Sequence, residues 1–211
     1  MQPARKAAVR FRERSELLDF LLEVSAATAI TLDLDQLMAA VADIIQRVLP
    51  YDVFAILLYS ERRQNLRIRY AVGHRQELVA SLSLALGEGI TGTAAASREP
   101  VLVGDVRKDP RYLSSVDAVR TELAVPMTAR GKLVGVIDLQ SIRVNAYSEY
   151  DRALLRLIAG RVSIAIENAR LYRRVERQNR TLKTLAHISR EFSSILDLNE
   201  LLEKIMDLIF R

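Results

Sequence analysis

LGEGITGTAAASREPVLVGDVRKDPRY, residues 86–112, and ELAVPMTARGKLVGVIDLQS, residues 122–141, decide the fold. The first stretch opens as a glycine-rich turn into a short helix over 86–97. Val101–Val103 follows as a short strand, and Asp105–Ser115 is a polar loop around Pro110. In the second stretch Leu123–Thr128 and Lys132–Gln140 read as strands. Ala129–Arg130–Gly131 between them is a hairpin signal.

Upstream lie more strands. DVFAILLYS (52–60) is apolar on both alternate sets, so it is expected to be central and covered on both faces. Asn65–Val72 alternates Leu66, Ile68, Tyr70 and Val72 against Arg67, Arg69 and Ala71, the pattern of a strand with one wetted face. Leu82–Leu86 is a third, short strand. Before them, 15–30 has helical spacing, and Asp33-x-x-Gln36 starts a second helix burying Leu37, Val41, Ile44, Ile45 and Val48. Downstream, Ser148-x-x-Asp151 opens a long helix. Its stripe of Leu155, Ile158, Val162, Ala165, Ala169 and Tyr172 resumes in a shifted register as Val175, Leu182 and Leu185, as in a coiled-coil stutter. Either this helix runs on as a rod that needs a partner, a parallel homodimer, or it breaks near Arg177–Arg180. The order of elements is that of an α+β domain with an antiparallel sheet.

The chain also begins the same thing twice. Residues 18–47 and 182–211 align without a gap, with ten of thirty positions identical. Leu32-Asp33-Leu34 recurs as Leu196-Asp197-Leu198, and Glu200 repeats the capping device. The second copy stops at Arg211, where the first continues into a strand. The expected organisation is a basic N-terminal segment (1–14), a domain (15–170), a helical linker (171–190) and the opening helix of a truncated second domain (191–211). The apolar face of that last helix (Leu198, Leu201, Leu202, Ile205, Leu208, Ile209) then packs on a dimer mate, packs on the first domain, or is disordered.

Composition narrows the chemistry. Half of the 211 residues are hydrophobic and the net charge is +5. The basic residues are interleaved with acids on helix faces, without the aromatic interleaving of a nucleic-acid surface. No apolar run reaches the roughly 20 residues of a membrane span, and no signal peptide is evident. A cytoplasmic setting is expected. There is no cysteine, which excludes disulfides, thiolate catalysis and thiolate metal ligation by this sequence.

The two opening stretches together resemble the GAF domain family. The resemblance rests on Gly87, Gly89, Ile90 and Gly92, on Asp105, Asp109 and Pro110, and on Pro126, Gly131, Gly135 and Val136, in that order. It extends over about residues 20–170. It implies a GAF/PAS-like six-stranded antiparallel sheet with terminal helices on one face, which mediate dimers, and a long C-terminal signalling helix. It implies a pocket on the other face, roofed by 87–120. Members mostly sense small molecules or act as dimerising spacers in bacterial signalling proteins. The tandem arrangement resembles proteins ending in a SpoIIE-like PP2C phosphatase, a histidine kinase or a diguanylate cyclase.

The family's cyclic-nucleotide branch places its contacts at Ala55, Ile90, Thr91, Val119 and Asp138. Its Asn-Lys…Phe-Asp-Glu signature is here Ser141, Ile142, Tyr150, Asp151 and Arg152, so its ion-paired lid is not expected. Ala55, Leu57 and Tyr59 fit either a filled core or an apolar ligand. Asp138, an acid between Ile137 and Leu139, is either an acceptor for a purine or amine or a partly exposed acid paired with an arginine. Gly87-x-Gly89 is either an anion cradle or a tight turn. Asp105, Asp109 and Asp117 share a loop with Arg107, Lys108, Arg111 and Arg120, a self-neutralising arrangement. His74 reads as an exposed loop histidine, so neither haem nor another cofactor or metal is expected. Bilin attachment and the free methionine sulfoxide reductase activity of some GAF proteins both require cysteine. The expectation is a non-catalytic sensor of an unidentified small molecule or, as the alternative, a ligand-free spacer.

Overall fold

A computed structural model describes residues 22, 24, 26, 33–113 and 116–209 of the chain. Two compact units divide it, residues 1–169 and 170–211. The first carries helix α1 (Leu34–Val48), strands β1 (Val53–Ser60) and β2 (Asn65–Val72), helix α2 (Gln76–Ser81), β3 (Ser83–Ala85), α3 (Gly89–Ser97), β4 (Val101–Val103), β5 (Thr121–Ala129) and β6 (Lys132–Ser141). Helix α4 (Glu149–Ile209) begins in this unit and continues through the second. The strands form one six-stranded sheet in the order β3-β2-β1-β6-β5-β4, and all five pairings are antiparallel. The expected α+β architecture is what the chain adopts.

Period-two alternation divides each central strand between two cores. On one face Phe54 and Ile56 of β1, Leu123, Val125 and Met127 of β5, and Ile137 and Leu139 of β6 meet the apolar sides of α1 and α4. Phe54 is fully buried, stacks on Tyr51 at 4.7 Å and meets Tyr70 edge-on at 6.4 Å. Burial raises the Tyr51 hydroxyl to about 12, and it donates to the Ala42 carbonyl. On the other face Val53, Ala55 and Leu57 meet α3 and the segment that follows it.

Both expected helix starts are built as the sequence suggests. The Asp33 carboxylate accepts from the amides of Asp35 and Gln36, at 2.8 and 3.1 Å. Ser148 and Asp151 cap each other, with the Ser148 amide and hydroxyl both 2.8 Å from Asp151 Oδ2. Asp52 ties the start of β1 to the end of β6, accepting from Ser141 Oγ and the Ile142 amide.

Three expectations change. Residues 76–81, left unassigned by the pattern, form α2. Asp197, read as a second helix cap, lies inside α4, which is helical without a break from 149 to 209. The stutter dissolves into two faces. Leu155, Ile158, Val162 and Ala169 are buried in the domain's own core, whereas Leu157, Ile164, Leu171, Val175, Leu182 and Leu185 are all exposed. Leu157, Ile164, Leu171 and Leu185 fall on one seven-residue series and Val175 and Leu182 on another, so the exposed set keeps a single register.

The expected helix at 15–30 lies outside the described residues except at Leu22, Val24 and Ala26, which are helical. Val24 is buried in the helix-side core. The basic segment 1–14 is likewise outside. In the second copy, Leu202 and Ile209 are exposed, and the other positions of its apolar face lie outside the described side chains.

Phe54 fills the centre of the helix-side core. Phe54→Ala is expected to lower stability by about 3–5 kcal/mol, measured by urea denaturation. A loss under about 1 kcal/mol would mean that the aromatic cluster does not carry this core.

Candidate functional site

The hairpin that organises the sheet also builds the site. β5 and β6 pair with Glu122 opposite Gln140 and Ala124 opposite Asp138. Residues of equal parity share a face. Glu122, Asp138 and Gln140 therefore project together onto the face away from α1 and α4, where they are 3, 3 and 5 % exposed. They form one wall of a pocket of about 560 Å³, counting its open mouth.

The rest of the wall comes from several elements on that face. β1 gives Ala55 and Leu57, β2 gives Ile68, and the β3 region gives Leu82 and Leu84. The start of α3 gives Gly89, Ile90 and Thr91, and Leu113 closes in from the loop beyond β4. Gly89 has φ of +69°, and a Cβ there would lie 3.0 Å from the Leu113 side chain. Gly92, one turn into α3, accepts the Gly87 amide at its carbonyl, and a Cβ on it would meet the Ala85 carbonyl. The glycine segment is thus a self-bonded turn that lets α3 close on the sheet.

Five of the seven candidate residues line this one pocket: Ala55, Leu57, Ile90, Thr91 and Asp138. Tyr59 and Val119 do not. Tyr59 points its hydroxyl at Gln64 Oε1, 2.9 Å away, and Val119 is buried in the pocket-side core.

Asp138 is not the arginine-paired, partly exposed acid of the alternative reading. Its Oδ2 accepts from Gln140 Nε2 at 2.8 Å. Its Oδ1 is buried and meets no donor unless the two carboxyls share a proton. Glu122 accepts from Thr91 Oγ1 at 3.2 Å. Burial, and the Asp138 charge beside it, push Glu122 well above the usual carboxylate range. Burial also raises Asp138, against the opposing hydrogen bonds from Gln140 and Glu122. Two acids this close in a dry site cannot both ionise readily, so one proton is held between them.

His74 also departs from expectation. It lines the pocket, both ring nitrogens are buried without a hydrogen-bond partner, and burial lowers its pKa. The ring is neutral at pH 7 and offers one donor and one acceptor. Glu122 and Gln140 are the polar wall residues that no local sequence signal singled out.

The Asp105–Ser115 loop is self-neutralised as expected. Arg107 makes paired hydrogen bonds to Asp105 at 2.9 and 2.8 Å, and Arg111 to Asp109 at 2.9 and 2.6 Å. The Arg107 hydrogen bond holds Asp105 down at about 2. Among the described residues no cluster of three or more His, Asp or Glu side chains could hold a metal. No described helix is long and apolar enough to cross a membrane.

Comparison with known proteins agrees with this architecture. A family profile described as GAF domain matches residues 31–167. The chain belongs to the GAF family. It is 32 % identical over 89 residues to the free methionine-R-sulfoxide reductase of Saccharomyces cerevisiae, covering 42 % of the chain and 49 % of that protein. The formate hydrogenlyase transcriptional activator of Salmonella typhimurium is 25 % identical over 217 aligned positions, covering 92 % of the chain but 30 % of the activator. The chain thus spans about half the length of one relative and under a third of the other. The GAF domain of a Coxiella burnetii phosphoenolpyruvate-protein phosphotransferase superposes with a TM-score of 0.67 at 21 % identity, over 75 % of this chain and 96 % of that one.

The acid pair sets a pH dependence. Both carboxyls titrate higher in the folded chain than in the unfolded one. Their contribution is therefore complete below the ordinary carboxylate range and lost as pH rises through the folded values. Thermal stability is expected to fall as pH rises from the ordinary carboxylate range, about 4, through the value of about 7 to which Asp138 is raised. Glu122→Gln supplies a permanent donor in place of the shared proton and should flatten that slope in melts across this range. An unchanged slope would show that the pair does not share a proton.

Proposed function

We propose that this chain is the regulatory, non-catalytic sensor part of a signalling protein, and that its pocket binds a small molecule. The observation that carries the reading is the pocket wall: its lining residues Gln140 and His74 hold buried polar atoms without hydrogen-bond partners, beside an acid pair whose Asp138 Oδ1 meets only the shared proton. Buried polar groups are satisfied in the great majority of native sites. A wall of orphaned ones around a mostly apolar pocket fits a ligand better than a filled spacer core.

Enzymatic function is the weaker reading. Relatives include a free methionine-R-sulfoxide reductase, but reduction of a sulfoxide through a protein thiol needs a cysteine and this sequence has none. The Thr91 hydroxyl that donates to Glu122 is buried as part of the wall. The transcriptional activator matched over most of the chain favours a regulatory role. The output is a partner domain: a SpoIIE-like phosphatase, a histidine kinase, a diguanylate cyclase or a transcriptional activator.

The transmitting element is α4, and the unit of function is a parallel homodimer. Its exposed Leu171, Val175, Leu182 and Leu185 recur at the seven-residue spacing that two supercoiled helices bury between them. Ligand that binds one dimer arrangement better than another shifts their populations, and α4 carries the difference onward.

A melting screen against metabolites tests the sensor. A pocket ligand at 100-fold its Kd should add about 2.7 kcal/mol, and a filled Ile90→Trp pocket should abolish the gain. Stabilisation by no compound supports the spacer instead. For the dimer, Leu182→Lys should convert a two-chain species into a monomer in sedimentation equilibrium. A wild-type monomer at all concentrations would overturn that part.

A further inference from the structure

The pocket wall is one-sided in its hydrogen-bonding chemistry. Gln140 directs its amide nitrogen to Asp138 Oδ2, and its Oε1 is left buried and bare. Asp138 Oδ1 is bare beside it. Thr91 already donates to Glu122. Apart from the proton the two acids share, every open polar atom on the β5–β6 wall is thus an oxygen acceptor. An anion or a carbonyl seated there would set lone pair against lone pair. A water could donate to both oxygens but could not balance the charge that the pair carries.

Among the described residues no cation is bonded to the acid pair. Arg111, which interacts with Glu122 only through its charge, makes paired hydrogen bonds to Asp109. No described lysine or arginine forms an ion pair with Glu122 or Asp138. Beyond the acids the lining turns apolar, with Leu57, Ile68, Leu84, Ile90 and Leu113 leaving room for a short hydrocarbon body.

We infer that the pocket takes a compact organic cation, an ammonium or amidinium group on a short apolar body, seated on Asp138 Oδ1 and Gln140 Oε1 against Glu122. The inference rests on the sensor reading above and names the ligand class for that same pocket. A cation bonded at Asp138 Oδ1 occupies the place of the shared proton, so ligand and proton compete. Affinity then depends on pH through the groups that face the site. Glu122 on β5 and Asp138 on β6 must give up the proton they share. His74, at the turn before α2, must be neutral, since its protonated ring would repel the ligand. Asp109 and Arg111 beyond β4 balance each other, and β1, β2 and α3 present no titratable group to the pocket.

Isothermal titration of the full chain with three probes of one length tests this: n-butylammonium, n-butanol and butyrate. Butylammonium alone should bind, and its affinity should fall about tenfold for each pH unit below the point at which the pair takes up the shared proton. Asp138→Asn, which puts an amide where the bare oxygen was, should weaken butylammonium at least tenfold. Glu122→Gln, whose amide donates to Asp138 Oδ1 in place of the shared proton, should weaken butylammonium as well. Circular dichroism of both variants separates lost binding from lost folding, and if Asp138→Asn fails to fold, Glu122→Gln alone decides. Binding of butanol or butyrate as tight as that of butylammonium overturns the cation assignment. So does a butylammonium affinity independent of pH, or no binding of butylammonium. Each of these leaves the sensor reading standing if another compound stabilises the pocket in the melting screen.

Discussion

Two carboxylic acids buried side by side on the central hairpin are the constraint around which the pocket is arranged. Burying one charge in a protein interior is costly, and burying two like charges together is more so. The chain meets the problem with hydrogen bonds from Thr91 and Gln140 and with a shared proton, not with a neighbouring arginine. The helix-side core makes this tolerable. Phe54, Leu123, Ile137 and Leu139 are fully buried on the reverse of the same strands and fix the hairpin register. That register sets Glu122, Asp138 and Gln140 on one face. The pocket is in this sense the far side of the core.

α4 shows a comparable division of labour. One stripe anchors the helix in its domain: Ser163 Oγ donates to the Thr128 carbonyl at 2.8 Å, and Ile158, Val162 and Ile166 are fully buried. A second stripe, Leu157 and Ile164 in the first unit and Leu171 to Leu185 in the second, is exposed. Buried and exposed apolar residues alternate along one helix, so a single-stripe reading of the sequence turns two faces into a phase shift.

Much of the fold was legible because its signals are local. β2 and β4 begin and end where the alternation does, the caps at Asp33 and Ser148 are read directly, and the β5–β6 turn is centred on Arg130 and Gly131, both at positive φ. The site was legible only where a residue broke its surroundings. Asp138 stood out as an acid inside an apolar strand. Glu122 and Gln140 sit near strand ends, where polar residues are ordinary, and only the pairing across the hairpin joins them. The equal parity of 138 and 140 was the signal available. His74 was hidden for another reason. VGHRQE has the composition of a surface turn, yet both ring nitrogens are buried in the pocket wall, which no local pattern encodes.

The most direct measurement is the titration of the carboxyl carbons of Glu122 and Asp138 by NMR in the ligand-free protein, from acid to mildly alkaline pH. A ligand-ready acid pair predicts that the two titrate together, with one proton kept well above the ordinary carboxylate range and released when butylammonium is added. Two independent titrations in the ordinary range, unmoved by any ligand, would contradict it.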